Sequence, residues 1–209
     1  MLTSASAFEE LALGFAAADA SRSPSWAWVP ATDDGPLAPP VGFLRSASIP
    51  VPPPPAAGGL PSDEALLDES LVDDDNAAAQ PSPVHRLELH IVFSETYQVP
   101  VLLLQGYGED GQPWRPDAVR AHLGRCATAG TEGLPLDMVS QMEHPVLRVP
   151  FCCLHPCRTA DLMARLLSGD GAKLDYLSAW WSIVAPHVGV QSRAACFVGA
   201  ASMSRCDAG

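Results

Sequence analysis

Lysine and asparagine are all but missing from this chain. Among 209 residues there is one of each, Lys173 and Asn76, beside 24 acidic residues and a net charge of −12. Such a balance leaves no basic face for a phosphate backbone, which excludes nucleic acid as a partner. No run approaches the ~18 apolar residues that cross a bilayer, so no stable membrane insertion is expected. Six cysteines are present, but none are arranged as paired C-x-x-C motifs, which weakens a structural zinc site. The N-terminal stretch MLTSASAFEELALGF carries Glu9 and Glu10 where a secretory signal carries lysine or arginine. These absences describe a soluble cytoplasmic protein whose cysteines are thiols rather than bridges.

What is present divides the chain. Hydrophobic residues make up 47%, yet there are 21 prolines and 16 glycines, so part of the chain is core and part is unstructured. Residues 50–83, rich in proline, alanine and acid, carry too few large apolar side chains to offset the entropy of ordering and read as a disordered insertion. Residues 1–49 read as an N-terminal helix and strands of the same domain. Residues 84–190 form its core, and 191–209 a flexible tail.

Periodicity supplies the elements. Phe8, Leu11, Ala12 and Phe15 share one helical stripe within residues 5–19. SWAWVP (25–30) and VGFLRSASI (41–49) read as short strands. LELHIVFS puts Leu87, Leu89, Ile91 and Phe93 on one face by alternation, predicting a half-buried strand. YQVPVLLLQGY is a second, more apolar strand, with Pro100 marking an edge or bulge. RPDAVRAHLGRC is a helix with Pro116 in its first turn and Gly124 near its end. VLRVPFCCL is extended and interrupted by Pro150. TADLMARLLSGDG is a helix with Thr159 as N-cap. LDYLSAWWSIVAP is another, turning Leu174, Leu177, Trp181 and Val184 inward and ending at Pro186. Strands followed by helices predict an α+β fold, an antiparallel sheet flanked by helices.

The chemistry concentrates in FCCLHPCRTADLM, residues 151–163. Cys157 could be a metal ligand, half of a disulfide, a buried filler or a nucleophile. A metal set of His155, Cys157, His144 and one of Cys152 or Cys153 has the right residue types, but Pro156 stiffens the backbone between its central members. Neither a metal nor a cofactor is expected. Cys152 and Cys153 alternate on an extended segment, one packing inward and the other facing outward.

Three blocks, YQVPVLLLQGYGEDGQPW, QMEHPVLRVPFCCLHPCRTADLM and YLSAWWSIVAPHVGV, together resemble the autophagy ubiquitin-like-conjugating enzymes, and within them the Atg-ten type. EHP stands eleven residues before HPC, and a W-S-I-V-x-P helix follows. The sister enzyme that passes its modifier to a lipid also has an HPC, in a longer chain with a different final helix. A catalytically silent binding module and a small thiol or metal protein are the other readings.

The resemblance implies a ubiquitin-conjugating-enzyme-like core. It implies that Cys157 takes an Atg-twelve-type modifier as a thioester from an Atg-seven-type activating enzyme and passes it to a lysine of an Atg-five-type substrate protein. Cys157 falls between an extended segment and a predicted helix start, with Arg158 beside it, where thiolate is favoured over thiol. His155 and Pro156 are expected to shape the turn, and His155 could also move a proton near neutral pH. Ordinary ubiquitin-conjugating enzymes use an asparagine for the oxyanion, and Asn76 lies in the insertion. Tyr97, in the matched YQVP, is therefore the candidate donor, or else a strand tyrosine packed on the sheet. The scarcity of lysine fits a GC-rich coding sequence first. Arginine's inertness as a nucleophile would also spare the enzyme from modifying itself.

Overall fold

The computed structural model describes residues 4–18, 24–31, 42–54, 84–126, 139–156, 159–160, 163 and 176–190. Cys157, Arg158, Lys173, Leu174, Asn76, most of the 50–83 segment and the 191–209 tail lie outside the described residues.

A helix α1 (Ala5–Ala17) opens the fold, capped by the Ser4 hydroxyl, which accepts the Ala7 N–H. Seven strands follow in one antiparallel sheet: β1 (Trp26–Pro30), β2 (Gly42–Ser46), β3 (Ile49–Val51), β4 (His85–Ser94), β5 (Val99–Tyr107), β6 (Val139–Glu143) and β7 (Pro150–Leu154). Helix α2 (Pro116–Cys126) lies between β5 and β6, and α3 (Tyr176–Val184) leads into a 3-10 turn over Ala185–Val188. The strand order is β1-β2-β4-β5-β7-β6, with β3 also paired to β4. This is the expected α+β architecture. Among the described residues, no helix is long and apolar enough to cross a membrane.

The stretch read as one strand over 41–49 is two. Register along β4 runs Leu44↔Ile91 and Arg45↔His90, then resumes at Ile49↔Leu87, one residue out of step. One extra residue on this side breaks the ladder as a bulge does. The Leu89 N–H at the break bonds the buried Ser46 hydroxyl at 3.1 Å instead. Pro50 and Val51, placed by composition at the start of the disordered insertion, belong to β3. Strand β6, too short and polar to show a period, was not foreseen; it is the outer strand beside β7, with three of its five residues exposed.

The alternation in β4 sends Leu87, Leu89, Ile91 and Phe93 into the main core with Phe8 and Phe15 of α1, Val119 and Leu123 of α2, and Leu177, Trp180 and Trp181 of α3. Each such large apolar side chain contributes roughly 1.5–3 kcal/mol on burial. Trp26 of β1 stands edge-on to Trp181, ring centroids 5.0 Å apart, locking α3 to β1. Nearly every side of α3 is buried, not only the stripe through Leu177, Trp181 and Val184. The α-helix ends at Val184, just before Pro186 as expected, and the chain continues into a 3-10 turn that holds Pro186 and closes at left-handed Gly189.

The other sheet face corrects the half-buried reading. His90 and Val92, two of the outward positions of β4, are as buried as their neighbours, while Arg86 stays exposed and Glu88 and Ser94 partly so. Phe43, Val92, Val101, Leu103, Phe151 and Cys153 form a second, smaller core there. Pro100 meets the edge expectation: it pairs with Phe93 of β4, on a part of β5 that lies outside the β7 ladder at Leu103 and Leu104.

Candidate active site

The site forms where β7 runs out. Pro156 is buried, and its carbonyl accepts both the Ala160 N–H and the Thr159 hydroxyl at 2.9 Å. The first backbone bond of the next helix therefore closes on Pro156. Thr159 is not the N-cap: it is already helical, and its hydroxyl donates backwards instead of accepting an amide. Proline suits this corner because its own nitrogen has no proton to satisfy.

Immediately before Pro156, the half-buried ring of His155 meets Tyr97 edge-on, with centroids 5.5 Å apart and planes at 74°. Tyr97 is not on a strand. It sits in the Glu95–Gln98 turn that joins β4 to β5, 45% exposed. The turn holds itself together: Gln98 N–H donates to the Ser94 carbonyl (2.8 Å), Tyr97 N–H to the Ser94 hydroxyl (3.4 Å), and the Gln98 side-chain amide to the Glu95 carbonyl (2.9 Å). Tertiary structure thus brings Tyr97 against His155, the residue before Pro156, from two segments nearly sixty residues apart. A phenol there can donate to developing negative charge.

The three described thiols, Cys126, Cys152 and Cys153, are poor candidates for such chemistry. Cys152 and Cys153 do point to opposite faces, but neither faces solvent, because the second core covers the outer face. Burial pushes the Cys152 thiol up, away from thiolate. Cys153 lies 3.0 Å from the Ser140 hydroxyl. Burial likewise pushes up the thiol of Cys126, 3.7 Å from His122 Nε2. Among the described residues, no three His, Cys, Asp or Glu side chains gather as a metal-ligand set.

His144 of the EHP motif, read from sequence as a spacing signal and as one candidate ligand of a metal set, is a keystone of the fold. It is fully buried, and its Nδ1 accepts two backbone amides, Val146 and Leu147, at 3.1 Å each. Its ring packs edge-on to Phe43 (4.6 Å), His90 (5.0 Å) and Phe151 (5.2 Å). Burial first, then the charge of His90, pushes its pKa down to about 4. Accepting at Nδ1 requires the neutral Nε2–H tautomer. His90 donates from Nε2 to Glu88, which leaves its own Nδ1 bare. Among the described residues, His90 Nδ1 and His144 Nε2 are both buried without a hydrogen-bond partner. That His90 bond, with the Arg45 guanidinium, holds the Glu88 carboxyl below its usual range. A proline after the histidine, in a segment otherwise extended, was the available sign of a tight turn here.

Against known proteins, residues 16–194 match the family described as autophagocytosis associated protein, active-site domain. The human ubiquitin-like-conjugating enzyme ATG10 is 32% identical over 177 residues, 79% of each chain. The Arabidopsis thaliana enzyme of the same name is 34% identical, covering 51% of this chain and 50% of its own. Autophagy-related protein 3 of Kluyveromyces lactis is 32% identical over 42% of this chain and 28% of its own. The extent of these matches, over a sheet and helices that carry the HPC corner, makes this chain a member of the autophagocytosis-associated active-site-domain family, a ubiquitin-like-conjugating enzyme of the Atg-ten type.

Proposed function

We propose that Cys157 is the thioester-bearing residue and that the modifier is of the Atg-twelve type. An activating enzyme of the Atg-seven type supplies it, and a lysine of an Atg-five-type protein in the cytoplasm receives it. In loading, the Cys157 thiolate attacks the carbonyl of the activating enzyme's thioester and the activating enzyme's thiolate leaves. In discharge, the substrate amine attacks the Cys157 thioester, an isopeptide bond forms, the Cys157 thiolate leaves and the amine's surplus proton passes to a base. Tyr97 donates its hydroxyl to the oxyanion of that step, and His155 and Pro156 shape the corner. The insertion beyond Pro54 has no part in charging.

The observation that carries this reading is the contact of Tyr97 with His155, which sets a phenol beside the motif in a chain whose single asparagine, Asn76, is 81 residues before Cys157 in sequence. Relatives named as ATG10 align with more of this chain than those named autophagy-related protein 3, which favours a protein over a lipid acceptor.

The test mixes the protein with activating enzyme, modifier and ATP and looks for a reductant-sensitive adduct. Cys157→Ser should turn the labile adduct into a reductant-stable ester, while Cys152→Ser, Cys153→Ser and deletion of residues 55–83 keep the labile one. A labile adduct on Cys157→Ser would sink the assignment.

A further inference from the structure

Among the described residues, two that are not glycine have a positive φ: Gln98 at 55° and Arg148 at 57°. A side-chain carbon is crowded in this left-handed region, and asparagine, aspartate or glycine usually fill it. Glutamine has no backbone reason to be at position 98. Its side chain supplies one. The amide reaches back across the turn to the Glu95 carbonyl at 2.9 Å, a span that asparagine, one methylene shorter, does not cover. With the Gln98 N–H on the Ser94 carbonyl, the turn is tied at both ends around Tyr97. None of these ties grips the Tyr97 ring, which is 45% exposed yet stays on the His155 imidazole. An exposed ring holds one orientation only if the backbone beneath it is fixed.

We infer that Gln98 is a positioning residue: its side-chain tether fixes the β4–β5 turn so that Tyr97 stands against His155 during discharge to the acceptor amine. This rests on the role of Tyr97 given under Proposed function. It predicts an unusual separation. Gln98→Asn and Gln98→Gly relieve the left-handed backbone and keep or raise the melting temperature, yet both loosen Tyr97.

The experiment has two readouts on the full chain. The first is the NMR shift of the His155 ring protons, with Tyr97→Ala as the reference that lacks the ring. In Gln98→Asn that shift should move most of the way to the Tyr97→Ala value. The second is single-turnover kinetics from the charged enzyme. Discharge should slow about tenfold with loading unchanged, since displacement of a group by ~1 Å is worth up to ~10²-fold. Gln98→Asn on a Tyr97→Ala background should slow discharge no further. A wild-type His155 shift in Gln98→Asn overturns the inference, and so does a moved shift with unaltered discharge. Failure of the wild-type protein to charge would count against the thioester on Cys157, while the His155 shift would still decide whether Gln98 holds Tyr97.

Discussion

Two turns in this sheet meet the same local demand in opposite ways. The β4–β5 turn, Glu95–Gln98, is closed from within by Ser94 and Gln98, at the surface. The β6–β7 turn that follows His144 is closed from below: the buried imidazole collects the Val146 and Leu147 amides, and the His144 backbone bonds Val149 and Arg148. Each turn carries one left-handed non-glycine residue. The difference follows from what each turn presents. A turn that offers a side chain outward keeps its ties in its own short polar groups, which compete well for nearby amides. A turn that welds an edge hairpin to the sheet is keyed by a ring packed among Phe43, His90 and Phe151. The first is local and sets Tyr97 against His155; the second is tertiary and ties the hairpin to the buried layer.

The comparison breaks most visibly at His144. His144→Ala strands two amides and leaves a ring-sized cavity, and should destabilise by on the order of 3–5 kcal/mol. Denaturant unfolding reads this directly, and a loss below about 1 kcal/mol, the scale of one ordinary hydrogen bond, would demote the keystone.

Acid comes next. The folded pKa of His144 lies below its ordinary value, so the native state holds it neutral while the unfolded chain binds a proton from pH 6.5 downward. Its contribution is complete above pH 6.5 and is lost as pH falls toward about 4. A shift of this size corresponds to roughly 3 kcal/mol. His122 and His187, also lowered by burial, add in the same direction. The charged groups near His144 are His90, which opposes its protonation, and Glu88, which favours it. Stability measured against pH should slope downward across this window in the wild type and less steeply in a His144→Phe variant. Equal slopes would place the acid sensitivity elsewhere.

At the other turn the effect should fall on rate and leave stability alone. Tyr97→Phe keeps the ring on His155 and removes the hydroxyl. Discharge to lysine should slow by on the order of 10²-fold, with loading and melting temperature unchanged. Equal discharge by both proteins would return Tyr97 to a purely packing role.

The smallest expected effect sharpens the contrast. Arg148 reaches across its turn only through an exposed pairing with Glu143 at 3.3 Å. Such pairs are worth little. Arg148→Gly relieves the left-handed backbone and should stabilise by up to about 1 kcal/mol, partly offset by the freer unfolded chain. A marked loss on thermal unfolding would mean that the arginine holds its turn much as the glutamine holds the other.

What was legible in the sequence was what repeats locally. Alternation marked the buried face of β4, the 3.6-residue stripe marked α1, and a proline in the first turn marked α2, because each signal depends only on neighbours along the chain. The HPC corner was legible for the same reason: a proline between an extended run and a helical one must turn the backbone, and the fold places Pro156 at that turn.

Tertiary structure decided what depends on partners distant in sequence. Nothing in LELHIVFS foretold that His90 and Val92 would be covered, because Phe43, Phe151 and His144 come from other segments. One of Cys152 and Cys153 was expected to face outward; Cys153, on that outer face, is enclosed by the same cover. The break between β2 and β3 depended on a one-residue slip against β4, and Tyr97 was set in a turn beside His155 by the length of the β4–β5 hairpin. Periodicity reports which face of an element is apolar. Whether the polar face meets water or a second layer is a property of the assembled sheet, and that is where His144 acquired its work.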